Sequence, residues 1–372
     1  MLGKKTKKIL VVSHEASYTG APLLLIQLIK FIKLNYNYSV QIVIIRGGPL
    51  EKEFEQYGSV TILKDAGYSS RRGVSRLKSI LINRIKNIKT FYFAINSDFI
   101  FCNSIICGNI IGWLRFSRTP IYTYVHELEQ VIRMYLNSGH IRPALKYSTS
   151  LFYPCKRVQE TLIDCFHVPV SKLFRLNYYF PAHYFENNLL TACPANNEFL
   201  YCGVGTASYR KGTDLFIDVA KMIYEKSLGY KFVWIGGFGS KEDEEKYRTM
   251  ALVNGKSVVE FTGALEPPQV RLLYSKFDAL LLTSREDPYP LVVLEAAYNK
   301  KASIVFKDSG GISEFVEGCG WVINQIASKE MAECLFKLNK DKLQARGVEA
   351  YEKVNRLHSN QQLLKDQLFI MS

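Results

Sequence analysis

The sequence predicts two α/β domains, each a doubly wound parallel sheet, with a cleft between them. Short apolar runs alternate with longer amphipathic stretches, which is typical of βα units. The alternation restarts near residue 190, after a stretch rich in Asn and Pro. A length of 372 residues favours two domains over one. We expect Rossmann-like domains at residues 1–185 and 186–350, and a C-terminal helix, 351–372, that packs back on the first domain.

Each predicted strand is a short apolar or aromatic run bounded by Gly, Pro or polar residues. The predicted strands are residues 9–12, 40–45, 99–102 and 121–125 in the first half, and 199–202, 232–235, 258–261, 279–283 and 302–305 in the second. Residues 177–197 lack periodicity and are predicted to be the linker. Because open α/β sheets bind ligands at the carboxyl ends of their strands, functional motifs should follow strands directly.

The positive charge is concentrated in the first half of the chain. Residues 1–190 contain 25 basic and 11 acidic side chains, whereas the remainder contains 23 of each, and the total is +14. This asymmetry indicates an anionic partner for the first domain, either a membrane surface or nucleic acid. The basic segment lacks a known nucleic-acid motif and interleaved aromatic residues, so no nucleic acid is expected.

The segment 71–89 is both basic and amphipathic. Its cations are Arg71, Arg72, Arg76, Lys78, Arg84, Lys86 and Lys89, and its apolar stripe is Val74, Leu77, Leu81, Ile85 and Ile88. Such a helix can lie on an anionic membrane, or it can pack its stripe on the sheet as an ordinary domain helix. The sequence leaves both alternatives open.

The eight cysteines form no C-x-x-C pair and no cluster with His, so we interpret them as reduced and structural. No run approaches the roughly 18 apolar residues of a membrane span, and the N-terminal apolar run is too short for a signal peptide. We therefore expect a cytoplasmic protein, or a peripheral one at the inner face of the membrane.

The most informative motif, residues 284–296, follows the predicted strand 279–283. Asp287 lies in the loop and Glu295 in the following helix, so both carboxylates can bind hydroxyls. The helix start at Leu291 and Val292 offers free amides to an anion. Together these groups suit a sugar nucleotide, although a capped helix with solvated acids would give the same pattern.

Three further motifs also follow predicted strands. Residues 203–214 combine Gly205 with Arg210 and Lys211, which suits a diphosphate. Gly20 and Ala21 open a helix after the first strand, where backbone amides can approach a ligand. His126 ends a first-domain strand. Each motif also has a purely structural explanation. Residues 203–214 can be an ordinary loop, Gly20 and Ala21 a plain strand-to-helix turn, and His126 a packed histidine.

Residues 287–295 resemble the E-x7-E signature of retaining glycosyltransferases of family 4, with Asp in place of the first Glu. The resemblance implies that Asp287 contacts the donor sugar and Glu295 the nucleotide ribose. It assigns Lys211 to the diphosphate. The Arg that often follows the first Gly of that turn is Val204 here, and Arg210 is a candidate replacement.

The same resemblance implies the two-domain GT-B fold. It places Gly20 and Ala21 opposite the donor and gives His126 a contact with the transferred sugar. Gly310 and Gly311 resemble the G-G-x-x-E turn, which we interpret as scaffold. The implied reaction is transfer of a hexose-type sugar from a nucleoside diphosphate sugar, with retention, in assembly of bacterial surface polysaccharide, lipopolysaccharide or glycolipid.

The chain contains no D-x-D pair, so we expect no metal and no cofactor besides the donor. Lys211, Arg210 and the helix amides would stabilise the leaving diphosphate. The expected partners are a nucleotide sugar and a glycan or lipid-linked acceptor. The alternatives are a sugar-nucleotide epimerase of the same fold and a non-catalytic protein that binds sugar or nucleic acid.

Overall fold

The computed structural model describes residues 6–64, 76–137, 141–181, 184, 198–226 and 229–371. The chain forms two compact units, Met1–Phe180 with Gln361–Ser372, and Pro181–Asn360. The sequence placed these divisions at 185/186 and 350/351, whereas the structure has them at 180/181 and 360/361. Most of the predicted linker, together with Cys193, lies outside the described residues.

The first unit is built on a parallel sheet that has seven strands within the described residues, in the order β3-β2-β1-β4-β5-β6-β7. The strands are β1 (Lys7–Glu15), β2 (Tyr38–Arg46), β3 (Ser59–Lys64), β4 (Phe99–Asn103), β5 (Ile121–Tyr124), β6 (Ser150–Tyr153) and β7 (Leu173–Arg175). All residues of β4, β5 and β6 are buried. Burial on both faces explains why these strands appear in the sequence as continuous apolar runs instead of alternating patterns.

Helices connect these strands. They are α1 (Gly20–Asn35), α2 (Glu51–Glu55), α3 (Arg76–Ile95), α4 (Gly108–Leu114), α5 (Glu129–Asn137), α6 (Arg142–Tyr147) and α7 (Lys156–Glu160). Helix α1 is apolar over most of its surface and is largely buried. Its Pro22 lies in the first turn, where the missing N–H has no intrahelical partner to lose.

The second unit repeats this architecture with a parallel sheet whose described part has six strands, in the order β12-β9-β8-β13-β14-β15. Its strands are β8 (Phe199–Val204), β9 (Tyr230–Ile235), β12 (Glu260–Phe261), β13 (Ala279–Leu282), β14 (Ala302–Phe306) and β15 (Trp321–Ile323), and β10 (Leu252–Val253) pairs separately with β11 (Lys256–Ser257). Its helices are α8 (Thr213–Tyr224), α9 (Lys241–Met250), α10 (Pro267–Lys276), α11 (Leu291–Tyr298), α12 (Ser313–Val316), α13 (Ser328–Leu335) and α14 (Lys340–His358). The two doubly wound sheets confirm the predicted fold class.

The C-terminal segment is divided between the units. Helix α14 runs through residue 351 and belongs to the second unit, whereas α15 (Gln361–Leu368) belongs to the first. Leu364 and Leu368 of α15 are buried, and Gln367 Oε1 accepts a hydrogen bond of 3.0 Å from the Asn177 amide. Residues 177–180, which we predicted as linker, are likewise buried in the first unit.

In each sheet the strand order reverses once, between β1 and β4 in the first unit and between β8 and β13 in the second. At such a reversal the connections leave the sheet in opposite directions and open a crevice at the carboxyl ends of the strands. The motifs at residues 13–22, 203–214 and 284–296 follow three of these four strands. The fold therefore places them where α/β sheets bind ligands.

Helix α3 differs from the stripe expected for a helix that packs on its sheet. Ile85 and Ile88 are exposed by 56% and 70%. The side chains of Leu77 and Leu81, and the whole of Arg71, Arg72 and Val74, lie outside the described part. Among the described residues no helix combines the length and the hydropathy needed to cross a bilayer.

Candidate active site

The basic turn of the second unit follows β8. The Gly205 amide donates to the Ile235 carbonyl at 2.9 Å, and the Gly205 carbonyl accepts from the Trp234 indole at 2.9 Å, which fixes the turn against β9. The aliphatic part of Lys211 runs beside Gly205, and a Cβ there would lie 3.3 Å from Lys211 Cε. Arg210 is exposed and donates to the Glu286 carbonyl at 2.8 Å.

Lys211 and Asp287 form an ion pair through Lys211 Nζ and Asp287 Oδ2. Their side chains are only 17% and 10% exposed. Lys211 comes from the turn after β8 and Asp287 from the loop after β13, so the pair spans the point where the strand order reverses. Two residues that the sequence assigned to the donor from separate motifs are therefore direct neighbours.

Two glycines allow this approach. Gly212 has φ +67°, and a Cβ at this position would lie 1.8 Å from the Thr283 carbonyl oxygen. Gly310 has φ +155°, and its Cβ would lie 1.8 Å from the Asp287 carbonyl oxygen. Only glycine fits at either position. Gly212 therefore allows the close approach of the basic turn to the end of β13. Gly310, which we interpreted as scaffold, allows the close approach of its own turn to the Asp287 loop.

Arg285 and Asp214 form a second ion pair that the sequence analysis missed. The two terminal guanidinium nitrogens of Arg285, Nη1 and Nη2, donate to the Asp214 carboxylate at 2.7 and 2.6 Å. Arg285 also donates to the Tyr209 carbonyl at 2.7 Å and lies 3.7 Å from the centre of the Tyr209 ring. Burial alone would raise the pKa of Asp214, but Arg285 lowers it overall. The pair ties the basic turn to the loop after β13.

Glu295 lies in α11 and accepts a hydrogen bond of 2.7 Å from the Tyr274 hydroxyl. Burial raises the pKa of Glu295, against the opposing effects of Tyr274 and Arg271. At the start of the same helix, Pro290 occupies the N-cap and provides no side-chain hydrogen bond, while Leu291 and Val292 are half-buried. This helix start, two residues beyond the Asp287–Pro288 loop, retains the positive end of its dipole for a ligand.

His126 of the first unit lies in a hydrogen-bond network after β5. Its Nε2 is 2.9 Å from Asn103 Oδ1, and its Nδ1 is 3.1 Å from the Tyr178 hydroxyl. Asn103 ends β4 and donates through its side-chain amide to the Ala21 carbonyl at 2.7 Å. The network thus joins His126 to the first turn of α1, which carries Gly20 and Ala21.

The network also defines the protonation of His126. Burial, assisted by nearby His14, lowers the pKa of His126 to about 3, so the ring is neutral at pH 7. Because Asn103 uses its NH2 group on Ala21, its Oδ1 is the acceptor and His126 Nε2 carries the proton. Nδ1 is then the acceptor for the Tyr178 hydroxyl. His126 is therefore preset as the Nε2–H tautomer.

Glu127 anchors the same loop from inside the unit. It is buried, and its Oε2 accepts from the His126 amide at 2.9 Å while its Oε1 accepts from the Ser104 hydroxyl. Ser104 has φ +107°, an unusual value for a residue with a side chain, and its Oγ also accepts from the Ile106 amide at 3.0 Å. Burial raises the pKa of Glu127 overall.

The turn before α1 contains another carboxylate. Glu15 accepts hydrogen bonds from the Ser17 and Thr19 hydroxyls at 2.5 and 3.0 Å. Burial opposes ionisation, but these hydroxyls and His14 lower the pKa of Glu15 overall. His14 itself donates through Nδ1 to the Asn103 carbonyl at 3.2 Å. Gly20 begins α1 immediately after this hydroxyl cluster.

The structure groups the predicted residues by unit. Lys211, Asp287 and Gly205 converge after β8 and β13 with Arg210 at their edge, Glu295 follows in α11, and Ala21 is linked to His126 through Asn103. Asn103 could have been found as the polar residue that ends an apolar strand. The roles of Arg285, Tyr274 and Tyr178 have no local sequence signal, since each depends on a partner that is distant in sequence.

Comparison with known proteins agrees with these two units. A family model described as Glycosyl transferases group 1 matches residues 194–360, and one described as Glycosyl-transferase family 4 matches residues 5–147. Alpha-galactosylglucosyldiacylglycerol synthase of Streptococcus pneumoniae is 32% identical over 127 residues. That match spans 33% of this chain and 32% of the synthase.

Solved structures share the fold over nearly the whole chain. Alr3699/HepE of Anabaena, solved in complex with UDP and glucose, has a TM-score of 0.76 at 17% identity, with 97% of this chain and 98% of that chain covered. Sucrose-phosphate synthase of Thermosynechococcus elongatus has a TM-score of 0.71 at 16% identity, with 98% and 100% covered. These structures show the fold, which is GT-B. The two family models, which together match residues 5–147 and 194–360, identify the chain as a glycosyltransferase of family 4 type.

Proposed function

We propose that the protein transfers a sugar from a nucleoside diphosphate sugar to a glycan or lipid-linked acceptor, with retention of anomeric configuration. The observation that carries this proposal is the half-buried Lys211–Asp287 pair at the strand-order reversal of the second unit. A cation for the diphosphate and a carboxylate for sugar hydroxyls are adjacent there, and the start of α11 follows directly.

The chemical demand is stabilisation of the leaving diphosphate. Lys211 places its ammonium group in a site shielded from water, where electrostatic stabilisation is stronger than in solution. Arg210 is more exposed and serves as a second, weaker contact. Amides of Leu291 and Val292 add donors. We propose that this set needs no metal and that the reaction needs no cofactor besides the donor.

The carboxylates have separate roles in this proposal. Asp287 contacts hydroxyls of the donor sugar and Glu295 contacts the ribose. Gly205 allows the nucleotide to approach the backbone, and Gly20 with Ala21 faces the donor from the first unit. The Tyr274 hydroxyl orients Glu295, because it occupies one carboxylate oxygen and leaves the other for the ligand.

His126 acts as a neutral hydrogen-bond partner of the transferred sugar. A ring with a pKa of about 3 holds no transferable second proton at pH 7, so it is not a general acid. A sugar hydroxyl can bind at Nδ1 by replacing the Tyr178 hydroxyl, while Asn103 keeps the proton on Nε2.

The acceptor class is inferred from two findings. The first half of the chain holds the whole charge excess, and the relative named above is by its name a glycosyldiacylglycerol synthase. Both favour a lipid-linked acceptor at the anionic inner face of a bacterial membrane, in assembly of surface glycolipid or polysaccharide. A hexose is the proposed sugar.

The first test is thermal stabilisation of the folded protein by UDP, GDP, ADP and their sugar derivatives. A ligand at about 100 times its dissociation constant adds about 2.7 kcal/mol to stability. The stabilising donor is then incubated with and without lipid acceptors. Acceptor-dependent product with the donor's anomeric configuration, read by NMR, supports the proposal.

Conversion of the donor to an epimeric nucleotide sugar without acceptor would instead identify an epimerase. Donor binding without turnover over a broad acceptor panel would identify a non-catalytic sugar-binding protein. Inverted configuration in the product would contradict the retaining mechanism alone and leave the transfer activity standing.

A further inference from the structure

The exposed face of α3 is apolar, which is the reverse of an ordinary domain helix. Within its described side chains, Thr90 and Ala94 are buried, whereas Ile85, Ile88, Tyr92 and Ile95 are exposed by 56%, 70%, 60% and 52%. Residues at i, i+3, i+7 and i+10 lie on one side of a helix. The four side chains therefore form a single stripe, which we call the α3 stripe.

The charged residues of α3 are all basic. Helix α3 has five basic residues and no acidic one: Arg76, Lys78, Arg84, Lys86 and Lys89. Arg84 and Lys89 are exposed next to the stripe, and Lys89 Nζ lies 5.5 Å from the centre of the Phe93 ring. Large apolar residues flanked by long cations are the pattern of helices that lie in the plane of a membrane surface.

A turn that contacts α3 carries a second exposed group of the same kind. The 3-10 turn Arg115–Ser117 contacts α3, and the Thr119 hydroxyl donates to the Ala94 carbonyl at 2.8 Å. Phe116 in this turn is 66% exposed and lies between Arg115 and Arg118. The guanidinium of Arg115 lies 4.6 Å from the Phe116 ring. An exposed aromatic side chain with two more cations thus lies in a turn that contacts α3.

We propose that the α3 stripe docks the protein on an anionic lipid bilayer. The isoleucines and Tyr92 would enter the boundary between headgroups and acyl chains, while Arg84, Lys89 and the cations beside Phe116 would contact lipid phosphates. Charge complementarity favours this occupant, because an anionic surface matches both the acid-free helix and the basic first half. A nucleic acid would match the charge but leave the isoleucines without apolar partners.

Docking is independent of which sugar is transferred, but its purpose, access to a lipid-linked acceptor, rests on the proposed function. The two are therefore measured separately. Docking is read from flotation of the whole protein with phosphatidylcholine vesicles, with and without phosphatidylglycerol. Donor binding is read from the thermal shift by nucleotides, which reports on the second unit.

Two variants divide the surface into its apolar and its charged parts. We expect Ile85→Gln/Ile88→Gln to lower partition into anionic vesicles about tenfold or more at every salt concentration. Arg84→Gln/Lys89→Gln should lower it by a similar factor at low salt and much less at high salt, where charges are screened. The matched control is Val348→Gln in the second unit, an exposed valine in the half of the chain that has no net charge, which should change nothing.

Surface substitutions of this kind are nearly neutral for stability. A circular dichroism melting curve of the whole protein that matches the wild type shows that the variants are folded. Wild-type protein that stays unbound with anionic vesicles overturns the proposal, as does undiminished binding of the isoleucine variant. Salt-sensitive binding to DNA in place of vesicles also overturns it. So does a dimer, seen by light scattering, that the isoleucine variant converts to monomer.

Discussion

The strand-order reversals of the two sheets hold chemically different groups. In the first unit, His126, Asn103 and Tyr178 are neutral and satisfy one another's donors and acceptors. In the second unit, the corresponding position holds two ion pairs, Lys211–Asp287 and Arg285–Asp214. A satisfied neutral network keeps one geometry, whereas a half-buried ion pair can exchange its partner for an arriving anion. The neutral network of the first unit is therefore preset, whereas the ion pairs of the second unit can rearrange when the proposed donor binds.

Removing the cation of the second unit is the most severe test of this contrast. We expect Lys211→Ala to lower kcat about 10²- to 10³-fold, as measured for loss of a donor that stabilises charge in a transition state. The reason is that Asp287 then remains near the diphosphate without its counter-ion. The control is Lys246→Ala, an exposed cation of α9. An equal effect of both variants would contradict the assignment.

Removing the first acid should act mainly on turnover. We expect Asp287→Ala to lower kcat by roughly 10-fold to 100-fold, with the nucleotide dissociation constant changed by less than about threefold, because the lost contacts are to the sugar. Calorimetry with the free nucleoside diphosphate and initial rates with the donor separate the two effects. A large loss of affinity for the free nucleotide would show that Asp287 serves the diphosphate.

The second acid should separate binding from stability. Because burial raises the pKa of Glu295, its charge costs stability as the pH rises through that pKa. We expect Glu295→Gln to be at least as stable as the wild type at pH 7, since an amide oxygen still accepts from Tyr274. Loss of a charged partner for the ribose should weaken nucleotide binding about tenfold. Glu295→Ala should weaken nucleotide binding further. Normal nucleotide affinity in either variant would refute the contact of Glu295 with the ribose.

The preset network of the first unit gives a pH dependence. Between the folded pKa of His126, about 3, and its ordinary value of 6.5, the unfolded chain binds a proton that the folded chain does not. Acidification below pH 6.5 therefore lowers stability, by at most about 1.4 kcal/mol per pH unit. Urea unfolding at pH 6.5 and 5 should show a smaller decrease for His126→Gln. An equal decrease in the unfolding free energy of the wild type and the variant would show that the His126 ring is exposed to solvent in the folded protein.

Chelation should have the smallest effect. We expect EDTA to change the rate of transfer by less than about twofold, since Lys211 and the helix amides supply the positive charge. Assays with and without added Mg²⁺ check this. Loss of activity in EDTA that Mg²⁺ restores would show instead that a metal ion neutralises the leaving diphosphate.

The fold and part of the candidate site could be predicted from the sequence, because both depend on local pattern. Apolar runs such as residues 99–103 and 302–306 identify buried strands, and the motifs at 203–214 and 284–296 follow strands at once. The sequence did not show that Lys211 and Asp287 touch, since strand order joins them across 76 residues. The linker prediction was wrong at residues 177–180, whose aromatic side chains pack in the first unit for reasons that only the tertiary structure provides.

The amphipathic segment at 71–89 shows the other limit of sequence patterns. Helical periodicity places Ile85 and Ile88 on one stripe but does not tell which way the stripe faces. Burial of Thr90 and Ala94 on the opposite side answers that question for the described part of α3. The spacing of apolar residues separates two faces of a helix, while the sheet beneath decides which face is covered.

Gly212 and Gly310 have a consequence for how this site can diverge. Each adjoins a carbonyl that leaves no room for a methyl group, and each lies within a few residues of the groups proposed to meet the donor. Saturation mutagenesis should therefore yield only glycine at these two positions, even in a screen for folding alone, whereas positions 210 and 204 should accept many residues. The side chains proposed to contact the donor can vary, as Asp287 illustrates in the place of the first Glu of the E-x7-E signature. The two glycines beside them cannot.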